Sequence, residues 1–96
     1  MKTYLELSDF FHEKSLEERL ISVARRLKEV RKRRKLSQLE LSEKSSVSYG
    51  TVKRFERTGK ISFEALFKIA IALGVDGELD SLFSFVPPTY EEMIHG

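Results

Sequence analysis

The 96-residue chain has no cysteine. A disulfide scaffold, a thiolate metal site and a cysteine nucleophile are therefore excluded. Long apolar runs are missing too. The longest one free of charge is Ile69–Val75, far short of the ~20 residues that span a bilayer. The opening stretch does not read as a signal peptide, because Glu6 and Asp9 interrupt any apolar run. The expectation is a reducing, cytoplasmic setting with no membrane partner. No glycine-rich phosphate loop or pair of facing carboxylates is in view, so no enzyme and no cofactor are expected. The two histidines, His12 and His95, lie at opposite ends without a partner at metal-ligand spacing. Both read as solvated, and no metal is expected. Internal repeats and low-complexity segments are absent.

Basic residues are scarce at the two ends. Residues 1–23 carry three basic and five acidic groups, and residues 61–96 carry one and six. The middle, residues 24–60, carries thirteen basic and four acidic groups, net +9. A basic block of this kind points to a polyanion partner. The same charges equally suit the solvated face of a long helix. At this length one domain is expected, with a modest core that oligomerisation would support.

The chain reads as a series of capped helices. Residues 1–14 form an N-terminal arm in which Ser8 to Phe11 can cap a short helix and Phe10 and Phe11 need burial, so the arm either packs on the domain or makes a partner contact. Ser15 with Glu18 makes a capping box, with acids in the first turn. The helix it opens is expected to run to about Arg34, burying a stripe of Leu16, Leu20, Val23, Ala24, Leu27 and Val30. Its last residues, Arg31 to Lys35, suit a helix C-terminus and lie beside any phosphate near the next helix. Ser62 caps a helix from Phe63 to Leu73 that Gly74 closes. That helix is apolar on all but the strip of Glu64 and Lys68, so burial on more than one side is expected. Asp76 or Gly77 starts a last short helix, Glu78 to Phe83, that turns Leu79, Leu82 and Phe83 inward. Ser84 to Val86 is extended, Pro87-Pro88 stop regular structure, and Thr89 with Glu92 caps a terminal turn. Residues 15–83 are thus the domain and 84–96 a C-terminal tail.

Residues 37–57 hold the most informative stretch. Ser37 and Glu40 form a second capping box, Leu39 and Leu41 begin an apolar pattern, and a turn of small residues surrounds Val47. Ser48 caps the following helix, whose Val52 and Phe55 face inward. Thr58-Gly59 ends it. The outward positions are Tyr49, Gly50, Thr51, Lys53, Arg54 and Arg57. A short helix with a basic outer face fits a DNA major groove. Arg54, one turn from Gly50, is placed to pair with a guanine, or else is a solvated arginine. Tyr49 stacks on a thymine methyl, bonds a phosphate, or packs at the helix start. Lys53, Arg57 and Lys60 read as phosphate contacts.

Residues 28–75 resemble the phage repressor/Cro-like, or XRE, helix-turn-helix family. The resemblance rests on Leu27-Lys28-Glu29-Val30-Arg31, Leu36 to Leu41, Val47-Ser48, Phe55-Glu56-Arg57 and Leu66 to Ala70. It implies an all-α, five-helix, lambda-repressor-like domain that binds double-stranded DNA as a homodimer. It implies that Gln38 touches a phosphate, that Tyr49, Gly50 and Arg54 face bases, and that Ser48 and Thr51 contact phosphate or methyl groups. Arg31 and Glu56 correspond to the family's internal ion pair. The family usually has alanine at Ser42 and glycine at Ser46, and its loop after the recognition helix is longer and carries a proline. The expected function is a sequence-specific transcriptional regulator, a repressor, reading the groove with helix 48–58. The alternative is an antitoxin that neutralises a HipA-like kinase toxin and represses its own operon. The short connection after Arg57 and the acidic tail resemble regulators of that kind.

Overall fold

The computed structural model describes residues 13–95, and every regular element among them is helical. Six helices follow in order: α1 (Leu16–Arg33), α2 (Gln38–Ser45), α3 (Tyr49–Thr58), α4 (Phe63–Leu73), α5 (Asp76–Asp80) and α6 (Tyr90–His95). Most of the arm placed at 1–14, with Phe10, Phe11 and His12, lies outside the described residues.

Serines open the first four helices. The hydroxyls of Ser15, Ser37, Ser48 and Ser62 accept the N–H of Glu18, Glu40, Thr51 and Ala65 at 3.0–3.2 Å. At α1 and α2 the glutamate reaches back, so that Ser15 N–H donates to Glu18 and Ser37 N–H to Glu40. Each such cap contributes about 1 kcal/mol. The backbone hydrogen bond at Ser37 holds the Glu40 carboxyl below its ordinary value. Gly59 and Gly74 close α3 and α4 in the left-handed conformation, at φ 77° and 75°. At α1 the same turn is made by Lys35 at φ 59°. There the Leu36 N–H reaches back to Arg31 O and the Lys35 N–H to Lys32 O, the paired closure of a helix end.

One core joins these elements. Ala24, Leu41, Val47, Val52, Phe55, Ile69 and Leu73 are buried together. α3 packs on α1 and α2, while α4 packs on α2 and α5. Only part of the expected α1 stripe reaches this core. Ala24 is buried, Leu20, Leu27 and Val30 are half-buried, and Leu16 and Val23 are exposed. Leu16 is left out by length: an 18-residue helix is ~27 Å long and the 10-residue α3 only ~15 Å, and α3 ends with Gly59 against Leu20. Val23 instead lines an open groove with Leu66, Ala70 and Leu79. Leu39 is likewise exposed, and Leu41 carries the contact of α2.

α4 buries Ile69, Ala70 and Leu73, but Phe63 and Ile71 are exposed. Phe63 packs edge to face on Phe67 with ring centres 5.0 Å apart. The expectation for the last short helix needs correction. It runs Asp76–Asp80 rather than Glu78–Phe83, Leu79 is half-buried, and Leu82 and Phe83 are exposed. α5 has no side-chain cap at Val75, and a helix of one turn has little propagation to offset its nucleation. The Ser81 hydroxyl donates to the Glu78 carbonyl at 3.1 Å, diverting the helix end. Phe83 then takes a left-handed backbone, φ 58°. Beyond it Thr89 and Glu92 exchange cap hydrogen bonds, and the expected turn extends into α6.

Candidate nucleic-acid interface

The turn between α2 and α3 is held by serines. Ser46 sits in the left-handed region at φ 60°, where a side chain costs about 1 kcal/mol that glycine avoids. Its neighbours offset this. The Ser42 hydroxyl donates to Val47 O at 2.6 Å, and the Ser45 hydroxyl accepts the Val47 N–H at 3.2 Å. Both polar groups of buried Val47 are therefore satisfied. An alanine at position 42 would leave the Val47 carbonyl without that donor.

From this turn α3 projects with two distinct faces. Val52 and Phe55 are buried. Tyr49, Gly50, Lys53, Arg54 and Arg57 are exposed, as are Ser48 before the helix and Lys60 after it, while Thr51 is half-buried. Tyr49 does not pack into the core. It is 42% exposed, and the Lys53 ammonium lies over its ring at 4.3 Å. That contact orients Lys53 toward the helix start. The Ser48 hydroxyl donates to Thr51 Oγ1 at 2.7 Å and accepts the Thr51 N–H, so these two side chains are first of all a helix cap. A Cβ placed on Gly50 would meet nothing within 4 Å. No protein atom among the described residues requires glycine there. Arg54 and Arg57 reach into solvent on the same face. The Arg54 carbonyl accepts from Thr58 Oγ1 at 2.8 Å, which tightens the end of the helix.

Beneath this face lies a charged hub. Arg31 Nε donates to Glu56 Oε2 at 2.7 Å and Nη2 to Oε1 at 2.9 Å, a two-pronged pair. Arg31 Nη1 donates to Leu36 O at 2.8 Å. Gln38 Nε2 donates to Glu56 Oε1 at 2.9 Å. Burial pushes the Glu56 carboxyl up, but the hydrogen bonds from Arg31 and Gln38 and the charges of Arg31 and Lys28 outweigh it. The group is held below its ordinary value. One carboxylate thereby ties α1, α2 and α3 together.

The Gln38 carboxamide faces Glu56, which leaves the uncapped first-turn backbone N–H groups and the second side-chain N–H of Gln38 open at the start of α2. The basic run at the end of α1 divides. Arg31 belongs to the hub, and Arg34 Nε donates to Leu73 O at 3.1 Å, closing the C-terminus of α4. Lys32, Arg33 and Lys35 stay exposed. Neither the Arg34–Leu73 contact nor Gln38–Glu56 has a local signal, because the partners are 39 and 18 positions apart.

Besides Arg34, the exposed cations of this region are Lys53, Arg54 and Arg57 on α3, Lys60 after it, and Lys32, Arg33 and Lys35 at the end of α1. Among the described residues no three His, Asp or Glu side chains converge as metal ligands, and no helix is long and apolar enough to cross a membrane. No curated protein and no solved structure shows a significant match to the chain. Residues 27–79, more than half of it, match the family model described as helix-turn-helix. The match begins in α1, ends in α5 and includes the turn, the hub and the whole of α3. The chain belongs to the XRE-type helix-turn-helix family of DNA-binding transcription regulators.

Proposed function

We propose that the chain is a sequence-specific repressor that binds double-stranded DNA as a homodimer, with α3 in the major groove. The exposed face of α3 supports this most directly. Arg54 extends beside a position without a side chain, so one guanidinium has open access to base edges. Two protomers would read half-sites roughly 34 Å apart. Lys53, Arg57 and Lys60, with Lys32, Arg33 and Lys35, supply phosphate contacts that set register and salt dependence. Gln38 contributes through its backbone N–H and the second N–H of its side chain, and Ser48 through its backbone N–H, whereas the Thr51 N–H is taken by the Ser48 hydroxyl, which leaves that residue its methyl group. The antitoxin alternative shares this DNA surface and differs in what the tail meets. It predicts that a co-expressed HipA-like kinase co-purifies with the chain and is lost when residues 84–96 are removed.

The test is selection of an operator from random duplexes with pure protein, followed by titration. Arg54→Ala is expected to lower discrimination about 10- to 100-fold at one base pair per half-site. Lys60→Ala should weaken all sequences alike and reduce the salt slope by about 1. Selection of no palindrome, or equal effects of the two variants on every sequence, would refute the reading.

A further inference from the structure

One face of the molecule, away from α3, holds an open apolar groove of about 290 Å³ between α1, α4 and α5. Leu27, Val30, Leu66 and Ala70 line it, and Val75 and Leu79 close one side. Val23 and Arg26 stand at its α1 edge. No residue of α3 contributes to it. Downstream, the chain carries an apolar surface with nothing against it. Phe85, Val86, Tyr90, Met93 and Ile94 are each more than half exposed. On α6, Tyr90, Met93 and Ile94 fall at i, i+3 and i+4 and so share one face.

We infer that α6 of one protomer docks in this groove on a second copy of the chain, so that the homodimer proposed above is closed by exchanged tails. The occupant is this chain's tail, taken from a second copy, for two reasons: the spacer selects the copy and the charge selects the tail. From Phe85 to Thr89 the chain has no regular structure, and Pro87-Pro88 hold it extended. At ~3.1 Å per residue this spacer covers ~15 Å. The groove along α1, from Val23 to Val30, is only ~10 Å long. Because Leu82 already forms part of the same groove's lining, the spacer carries α6 past its own groove. The second reason is charge. Residues 84–96 contain Glu91 and Glu92 and no lysine or arginine. The α1 edge of the groove presents Arg26, exposed, with Arg25 next to it in the chain, while Glu78 lines the α5 side. Apolar teeth with acidic neighbours thus meet an apolar slot whose α1 edge is basic. The arrangement leaves both α3 helices free.

The absence of native cysteine makes the test clean. Val23→Cys and Met93→Cys are made as separate single variants, mixed, and oxidised mildly, with Glu43→Cys on the exposed side of α2 as background. A disulfide-linked Val23→Cys/Met93→Cys heterodimer well above background is the expected product. The wild type should sediment as a dimer, and Met93→Asp should raise the dissociation constant about 100-fold while its helical spectrum stays unchanged. In a chain that carries both Val23→Cys and Met93→Cys, an internal disulfide would overturn the exchange. A wild-type dimer that gives no heterodimer above background, or that Met93→Asp leaves intact, would overturn the interface and leave the dimeric repressor standing. A wild type that stays monomeric both free and on operator DNA would overturn the dimer itself.

Discussion

Arg31→Ala removes three donated hydrogen bonds at once. The guanidinium side chain is 9% exposed and the Glu56 carboxylate 5%, so water reaches neither well. Breaking a buried pair by deleting one partner costs about 3–5 kcal/mol. Glu56 keeps the N–H of Gln38 and the nearby charge of Lys28, which places the loss at the lower end, about 3 kcal/mol. For a domain of this size each kcal/mol moves the melting temperature by about 4–8 °C, so a drop of roughly 12–24 °C is expected. Arg33→Ala is the control. It removes the same kind of charge from the same helix, two residues on, but from an exposed position. Its effect should stay within about 0.5 kcal/mol. Thermal and urea melts followed by helical circular dichroism measure both. Arg31→Met combined with Glu56→Leu should recover most of the loss, because a buried pair replaced whole by apolar side chains is often neutral. If the two single alanine variants melt within about 4 °C of each other, the hub does not hold the fold as argued.

Three further outcomes follow from the same geometry. Glu56 has a depressed folded pKa, so its stabilisation is complete above the ordinary value of 4.5 and is lost as the pH falls through the lower folded value. The stability gap between wild type and Glu56→Gln, measured in urea across a pH series, should therefore be widest near neutrality and narrow below 4.5. Gly50→Ala should raise stability by about 1 kcal/mol, since its Cβ enters open space; calorimetry would detect it. Gly59→Ala should do the opposite. Its Cβ would lie 2.4 Å from the Leu20 carbonyl carbon with φ at 77°, and the combined strain and overlap should cost about 3 kcal/mol or more in the same assay.

The contrast between these glycines shows where sequence reading is strong. Gly59 and Gly74 follow capped amphipathic runs, and both close helices in the left-handed conformation. Ser15, Ser37, Ser48 and Ser62 act through N–H groups three residues away, so their roles are written in the local chain. The α4 boundaries follow from the same chemistry. The inward placement of Leu82 and Phe83 rested on apolarity alone, and an uncapped five-residue helix ended before reaching them. The α1 stripe was correct in period, but the pattern does not record how far its neighbours extend. Of the candidate interface, the α3 residues were legible because their alternation with Val52 and Phe55 is helical. The engagement of Gln38 and Arg34 within the fold was not, because it depends on how separate helices cross.

The Glu56 hub has a consequence for the thermodynamics of association. A surface made of two short helices is ordinarily soft, and ordering it on a partner carries an entropic cost. Here the start of α2 and the last turn of α3 are locked to α1 through one carboxylate before any partner arrives. In the proposed complex this surface would meet DNA as a rigid piece, so binding would need little conformational ordering within it. Slow amide exchange in α2 and α3 of the free protein, nearly unchanged on binding, is the signature of such a preset surface. Loosening the hub would make that exchange, rather than the contacts themselves, the quantity that responds first.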